Sequence, residues 1–229
     1  MELYQLNERV YYSAYEEERD RPAIGYIRGD RFSIAVDAGH SEEHIREFYD
    51  ALKEKDLPLP ELTILTHWHW DHTFAMHAVN GLTLANRRTD EYLRRFIEER
   101  SEEKDGEFLK LDPSITKEYA HQKLTVVPAD LVFENEITVD AGCVLVKAFR
   151  AVSPHTDDAT LILLPEEKVL FFGDAISGVF PTWIADPVLK KQFIEVIEGI
   201  PCEFCIGGHW PLWKKEDLLK ELKEELAEE

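Results

Sequence analysis

One segment reads Thr66-His67-Trp68-His69-Trp70-Asp71-His72 and places three imidazoles and one carboxylate within six residues. The run before it, Leu62 to Leu65, is short, apolar and partly β-branched, and it follows Pro58 and Pro60. Such a run predicts a buried strand. The segment therefore lies at the C-terminal end of a strand, where α/β sheets usually present their functional side chains.

The spacing inside this segment predicts metal binding. His67 and His69 are two residues apart on extended backbone, so they point to the same side and can share one ion. Asp71 and His72 follow as the chain turns into a helix, and they can reach a second ion beside the first. The alternative is a polar turn with ordinary histidines, which is disfavoured because histidine is scarce and rarely this dense without a metal.

Composition predicts one globular enzyme domain over residues 1–229. A chain of this length can bury a substantial core, and single layered α/β domains of this size are common. The formal charge of -20 disfavours nucleic acid as a partner. No apolar stretch approaches the length of a membrane span, and the N-terminus lacks the pattern of a secretory signal. We therefore expect a cytoplasmic protein with a small-molecule substrate, and its oligomeric state stays open.

The cysteines carry little of the chemistry. Cys143, Cys202 and Cys205 form an odd, sparse set, which argues against a disulfide framework. Cys202 and Cys205 have CxxC spacing, but no second pair completes a four-thiolate zinc site. We expect Cys205 to be a small buried residue on a strand.

Hydrophobic patterns predict alternating strands and helices without an internal linker. Strand patterns cover residues 4–15, 23–36, 62–65, 82–85, 124–127, 131–134, 136–139, 143–148, 161–164, 169–172 and 204–206. Helix patterns cover 41–55 with Ser41 as the N-cap, a segment from about 73, then 89–104, 187–198 and a segment from 214. Residues 105–123 are mixed, and they could form a lid or a helical excursion over the site.

Three further residues complete the expected metal site. His155, Asp174 and His209 each follow or precede a predicted strand and stand next to small or turn-forming residues. Each alone is a weak signal, because a single histidine after a strand is more often a hydrogen-bonded loop residue. Together with the first segment they supply five histidines and two aspartates. That number suffices for two ions, one aspartate bridging, with positions open for water.

This ordered set of residues, with Asp37 before it, resembles the metallo-β-lactamase superfamily. The resemblance implies a four-layer αββα sandwich of two mixed β-sheets with a dinuclear site at one edge. It implies further that His67, His69 and His155 hold the first metal, that Asp71, His72 and His209 hold the second, and that Asp174 bridges both. Asp37 would orient the ligand loop without binding metal; alternatively, it is an aspartate at the start of a helix.

Departures from individual branches bear on the substrate. The stretch from His155 to Asp158 looks like that of the zinc β-lactamases, which however have cysteine in place of Asp174 and a non-ligand in place of His72. The ligand set resembles the glyoxalase II and lactonase branches instead. A single helix after His209 leaves little room for the C-terminal substrate domain of glyoxalase II. His69 stands where the flavo-diiron relatives use an acidic ligand.

The implied chemistry is hydrolysis by a metal-bound hydroxide, which two divalent ions make available at neutral pH. Zinc is the first expectation, and iron or manganese suit the same ligands. Asp71 would bind metal, orient the nucleophile and accept a proton. The expected substrate is a small ester, thioester, lactone or related bond. The alternatives are a mononuclear iron oxygenase of the persulfide-dioxygenase type and a metal-binding protein without activity.

Other residues near these ligands have expected supporting roles. Asp158 lies close to His155 in sequence, and we expect it to accept a hydrogen bond beside the metal ligands. Five aromatic residues flank the ligands or the loop after Asp174. We expect some of them to form the wall of an apolar substrate pocket: Trp68, Trp70, Phe180, Trp183 and Trp210.

Overall fold

The computed structural model of the chain describes residues 1–228. Its strands are β1 (Leu3–Gln5), β2 (Val10–Ser13), β3 (Gly25–Arg28), β4 (Ser33–Val36), β5 (Leu62–Ile64), β6 (Leu82–Asn86), β7 (Leu131–Phe133), β8 (Glu136–Asp140), β9 (Leu145–Arg150), β10 (Thr160–Leu164), β11 (Val169–Gly173), β12 (Phe204–Gly207) and β13 (Trp213–Lys214). Its α-helices are α1 (Glu42–Glu54), α2 (Trp70–Thr73), α3 (Arg87–Glu99), α4 (Glu102–Phe108), α5 (Pro113–Glu118), α6 (Pro187–Gly199) and α7 (Lys215–Glu228).

The strands form two mixed sheets. The first has the order β1-β2-β3-β4-β5-β6-β7, antiparallel from β1 to β4 and parallel from β4 to β7. The second has the order β13-β12-β11-β10-β9-β8, in which β11 and β12 run parallel and the other pairs are antiparallel. The parallel strands end at one edge of each sheet, so residues after them are brought together.

Three apolar cores separate four layers. Residues such as Ile64 of the first sheet and Phe171 of the second fill the core between the sheets. A second core joins the first sheet to helices and includes Phe48 on α1. A third joins the second sheet to α6 and α7 and includes Phe193 and Leu218. Full burial of one such side chain is worth about 1.5–3 kcal/mol. The predicted four-layer αββα sandwich is therefore confirmed.

Helix α1 begins where the sequence predicts. The Ser41 hydroxyl accepts a hydrogen bond from the backbone N–H of His44 and caps the helix. Ile45, Phe48 and Leu52 recur at helical spacing, and all three are buried against the first sheet. One apolar face therefore fixes how α1 covers the strands that lead to the site.

Helix boundaries near the site differ from the predicted ones. The helix after the histidine segment already begins at Trp70, where Thr73 donates from its hydroxyl to the carbonyl of His69. The predicted helix 89–104 is two helices, because α3 begins at Arg87 and ends at Glu99, and Ser101 then caps α4. Residues 105–123 form a helical excursion made of the rest of α4, then α5 and a turn.

The predicted strand at 124–127 is absent from the described structure. Its alternating apolar side chains, Leu124 and Val126, are buried in the helix-side core instead of a sheet. The Leu124 carbonyl accepts from the Arg100 guanidinium at 3.0 Å, and Pro128 follows without a backbone N–H. The alternation of apolar and polar residues therefore indicates that one side of the segment is buried. An extended loop can bury one side as well as a strand can.

Within residues 1–228, every helix is too short or too polar to cross a membrane.

Candidate metal centre

Both sheets contribute side chains to one edge of the sandwich. The segment from Thr66 to His72 follows β5 of the first sheet. In the second sheet, His155 lies between β9 and β10, Asp174 follows β11, and His209 follows β12. The backbone N–H of Thr160 donates to the Thr66 carbonyl at 2.7 Å, which ties the start of β10 to the histidine segment. The seven predicted ligands are thereby gathered in one place.

His67, His69 and His155 form the first group. Each offers a ring nitrogen, and these nitrogens lie within 4.8 Å of one another. His69 Nδ1 and His155 Nε2 are 2.9 Å apart. All three residues are buried. Three converging imidazole nitrogens of this kind could hold one metal ion.

Asp71, His72, Asp174 and His209 form the second group, again within 4.8 Å. Asp71 Oδ2 lies 2.9 Å from His209 Nε2 and 3.2 Å from His72 Nε2. The Asp174 carboxylate lies 3.4 Å from each of the same two imidazoles. The rings of His67 and His72 are 4.2 Å apart and connect the two groups. The structure places Asp174 in the second group, and its bridge to the first stays a prediction.

The donor set fits divalent cations. Three buried atoms in the two groups have no hydrogen-bond partner: His67 Nε2, His72 Nε2 and Asp174 Oδ1. Buried polar atoms in proteins are almost always satisfied, so these three require an explanation. Metal ions coordinated by these atoms would satisfy all three.

Hydrogen bonds fix the orientation of the imidazoles. Asp37 Oδ2 lies 2.8 Å from His72 Nδ1, and its other oxygen accepts from the Thr66 backbone N–H at 2.8 Å. His155 Nδ1 donates to the Gly178 carbonyl at 2.7 Å. In both histidines the bonded Nδ1 leaves Nε2 to face its group. Asp37 therefore touches a predicted ligand and also anchors the start of the histidine segment.

The electrostatics differ between the groups. Burial lowers the pKa of His69 to about 3, helped by neighbouring His155, and lowers the pKa of His67 well below its ordinary value. In the second group burial acts against ionisation, yet His209 and His72 lower the pKa of Asp174 to about 2. Asp174 and Asp71 likewise outweigh burial and raise the pKa of His209 to about 9. The first group thus offers neutral imidazoles and the second ionised carboxylates.

Asp20 and Gly208 belong to this neighbourhood, although the sequence patterns did not single them out. Asp20 accepts from the Trp70 indole N–H at 3.2 Å and lies 4.0 Å from His209 Nδ1. Burial and the charge of Asp71 raise the pKa of Asp20 to about 7. A Cβ at Gly208 would lie 2.7 Å from His72 Cε1 and closer still to Asp174 Oδ1. Glycine at 208 therefore allows the backbone to approach the second group.

Asp158 is buried and accepts hydrogen bonds from Thr156 and, at 2.8 Å, from Thr89 on α3. Its donors are two threonines and not metal-site residues, so its supporting role at the metal ligands stays a prediction. Burial raises the pKa of Asp158 to about 6 against the two hydroxyl donors. Its contacts therefore fasten the His155 loop to α3.

A cavity of about 600 Å³ opens beside the first group, and His69 and His155 lie in its wall. Trp68, Trp70 and Phe180, three of the five aromatic residues predicted to form a substrate pocket, line it. The other two predicted pocket residues, Trp183 and Trp210, line a neighbouring depression of about 740 Å³ instead. Trp183 stacks parallel to the His155 ring at 6.1 Å, and Trp210 packs on Phe172. Phe108 and Leu111 of the helical excursion also line the first cavity.

The CxxC pair lies away from both metal groups. Cys205 is fully buried on β12, as predicted, and packs in the core against α6 and α7. Its Sγ is 3.8 Å from that of Cys202. In the described part of the chain, neither cysteine joins a candidate metal group.

Fold and site together define a class of proteins: αββα sandwiches with two adjoining histidine and aspartate groups at one edge. The family model of the metallo-beta-lactamase superfamily matches residues 19–225. The chain therefore belongs to the metallo-beta-lactamase superfamily.

Several solved structures share this fold. The metallo-beta-lactamase from Pontibacter korlensis superposes with a TM-score of 0.72 at 16% identity, covering 100% of this chain and 99% of that one. The metallo-beta-lactamase from Hirschia baltica gives 0.69 at 16% identity, covering 98% and 97%. The DIM-1 metallo-beta-lactamase gives 0.68 at 17% identity, covering 99% and 96%. At such identities the likeness establishes the fold, and the substrate has to be argued from the site.

Proposed function

We propose that the protein is a dinuclear metal-dependent hydrolase that cleaves a small ester, thioester, lactone or related bond. The observation that carries the proposal is the convergence of seven buried or half-buried histidine and aspartate side chains into two adjoining groups. Three of their buried atoms have no hydrogen-bond partner in the protein.

The residues divide between two ions. His67, His69 and His155 would hold the first; Asp71, His72 and His209 would hold the second, with Asp174 shared. Zinc is the expected metal, and iron or manganese accept the same donors. Bound divalent ions would lower the pKa of a water molecule and polarise the oxygen of the scissile bond.

The side chains of the protein would orient the attacking water and the metal ligands, and they would transfer protons. Asp71 is held ionised, because His72 and His209 outweigh the effect of burial and keep its pKa well below the ordinary value. We assign to Asp71 the orientation of the attacking water and the acceptance of its proton. Asp37 and the Gly178 carbonyl hold His72 and His155 in place. The adjoining cavity would bind the organic part of the substrate and exclude bulk water.

The second group favours a hydrolase over the persulfide-dioxygenase type. A mononuclear iron site needs only one set of ligands, whereas Asp71, His72, Asp174 and His209 bring two carboxylates and two imidazoles to a second position.

The experiment is a hydrolysis assay on the metal-stripped protein and on protein reloaded with zinc, iron or manganese. Carboxylic esters, thioesters and lactones of small acids form the panel. We expect turnover only after reloading, and loss of turnover by at least 100-fold in His67→Ala and Asp71→Asn. His77→Ala is the matched control, since His77 is partly buried outside both groups. Oxygen uptake on a persulfide by the iron form, without hydrolysis of any panel member, would contradict the proposal.

A further inference from the structure

We propose that the cavity beside His69 and His155 binds an uncharged, apolar acyl or aryl group and discriminates against carboxylate-bearing substrates. This inference rests on the proposed hydrolase function and specifies the substrate class. It is carried by the composition, rigidity and charge of the cavity wall.

Six aromatic rings line the cavity: Trp68, Trp70, Tyr92, Phe96, Phe108 and Phe180. They come from the histidine segment, from α3 and α4, and from the loop after β11. The rings support one another, with Trp70 5.0 Å from Phe180 and Phe96 5.6 Å from Phe108. A volume of about 600 Å³ falls within the ordinary range of small-molecule sites. The wall is therefore preformed and mostly apolar.

Apart from the proposed metal centre, the cavity offers an anion no cationic partner. Among the described residues that line it, none is lysine or arginine. Its one carboxylate, Asp157, is already bound by Arg88 at 2.6 Å and by the Tyr92 hydroxyl at 2.8 Å. Moving a substrate carboxylate into such a wall would leave it desolvated and unpaired, which is costly. The net charge of -20 repels anions further.

A quaternary ammonium group is the other ligand that aromatic walls attract, through the faces of the rings. Here neighbouring rings meet edge to face, so part of their face area is already in contact, and the Arg95 guanidinium lies 5.7 Å from the centre of the Tyr92 ring. Trp70 meets Phe180 at 80° and Phe108 at 71°, and Phe96 meets Phe108 at 80°. Arg88 also neutralises the one carboxylate at the wall. An uncharged group therefore suits the cavity better than a cation does.

The position of the cavity relates it to the reacting bond. His69 and His155 lie in its wall and belong to the first metal group. A group seated among the aromatic rings would therefore be next to the metal centre, with its scissile bond directed at these two histidines.

The test measures binding without turnover. Three methyl ketones of equal chain length, ending in tert-butyl, trimethylammonium or carboxylate, have no leaving group; the first two have the same shape and differ in charge, and the third carries the anion. Their binding to the zinc-loaded protein is followed by tryptophan fluorescence, since Trp68 and Trp70 line the cavity. We expect the tert-butyl ketone to bind at least 10-fold more tightly than either charged ketone. Equal affinities, or tighter binding of a charged ketone, would overturn the proposal.

A charge placed at the wall tests the location. Leu111 lines the cavity and is 53% exposed, so Leu111→Lys adds a cation there without burying it. We expect this variant to bind the carboxylate ketone at least five-fold more tightly than the wild type does. Leu131→Lys is the matched control, because Leu131 is 44% exposed on β7 and does not line the cavity. An equal gain in both variants would show a general charge effect and overturn the proposed location.

Hydrolysis of phenyl esters separates the two proposals. The acyl chains of these esters end in the same three groups as the ketones: tert-butyl, trimethylammonium or carboxylate. Discrimination among the ketones without hydrolysis of any ester would refute the hydrolase and support the cavity inference. Hydrolysis of all three esters at similar kcat/KM, with equal ketone affinities, would support the hydrolase and refute the cavity inference.

Discussion

At the scale of single residues, His72 has carboxylates near both ring nitrogens. Nδ1 faces Asp37 at 2.8 Å, and Nε2 faces the carboxylates of Asp71 and Asp174. A carboxylate behind an imidazole fixes the ring and increases its basicity toward a metal. Asp37 is therefore not a candidate ligand of the second group, but its contact with His72 positions a residue of that group.

This contact predicts that Asp37→Asn weakens metal binding. The substitution keeps the size of the side chain but removes the charge behind His72, and loss of such a partner typically costs 10–100-fold in metal affinity. Competition with a chromophoric chelator would measure the effect. Asp50→Asn serves as control, because Asp50 is 60% exposed on α1. Unchanged affinity in Asp37→Asn would show that Asp37 only anchors Thr66.

The histidine segment was predictable because its logic is local. His67, His69, Asp71 and His72 are close in sequence, so the spacing alone indicates a shared site. Asp20 was not predictable, since it ends an acidic run that reads as a solvated surface, and only the folded chain brings it to His209. The separation of Trp183 and Trp210 from the first cavity likewise depends on the path of distant loops.

At the scale of elements, the turn after β12 must pass close to the second group. Gly208→Ala should therefore displace His72 or Asp174 and lower metal content by at least half, while the chain stays folded by circular dichroism. Gly106→Ala is the matched control, because a Cβ there meets nothing within 4 Å. In helix α4 that change should stabilise the chain by about 0.5–1 kcal/mol. Full metal content in Gly208→Ala would show that the turn can shift to accommodate the added Cβ without displacing His72 or Asp174.

Asp158 connects α3 to the His155 loop, and its titration should change the free energy of unfolding. Its pKa is about 6 in the folded chain against an ordinary 3.8. Between these two pKa values the folded chain keeps a proton on Asp158 that the unfolded chain has lost. The stabilisation that comes from protonated Asp158 is therefore full below about pH 4 and is lost as pH rises through 6. The pKa difference corresponds to about 3 kcal/mol.

The expected result is that the free energy of unfolding of Asp158→Asn rises relative to the wild type by about 2 kcal/mol between pH 4.5 and 7.5. Urea denaturation of metal-free protein at each pH measures it. Asp140→Asn is the control and should differ from the wild type by a nearly constant amount over this range, because the Gly142 backbone N–H and Arg31 lower the pKa of Asp140 and its contribution is lost only as pH falls below its ordinary 3.8. A difference independent of pH would mean that Asp158 does not titrate in this range.

Element types were predictable where periodicity and caps agree, as in α1 with Ser41 and its buried face. Element types were not predictable where alternating apolar residues can arise either from a strand or from a loop buried on one side. Residues 124–127 are such a loop, and their apolar side chains are buried by helices. The split of the helix after residue 99 depends on the Ser101 cap, a signal the hydrophobic pattern does not contain.

At the scale of the whole molecule, the two sheets meet at the site. The first sheet supplies the histidine segment and Asp37, and the second supplies His155, Asp174 and His209. Each candidate group contains residues from both sheets. Divalent ions would therefore join the two halves of the sandwich, and the separation into two groups is the central claim about this protein.

Calorimetric titration of zinc into the metal-stripped chain tests this claim most directly, with His155→Ala and His209→Ala titrated alongside. His155 belongs to the first group and His209 to the second. The expected stoichiometry is two ions per wild-type chain, and one in each variant or a second ion bound at least 100-fold more weakly. A single ion in the wild type, or two ions of unchanged affinity in either variant, would contradict a site made of these two groups.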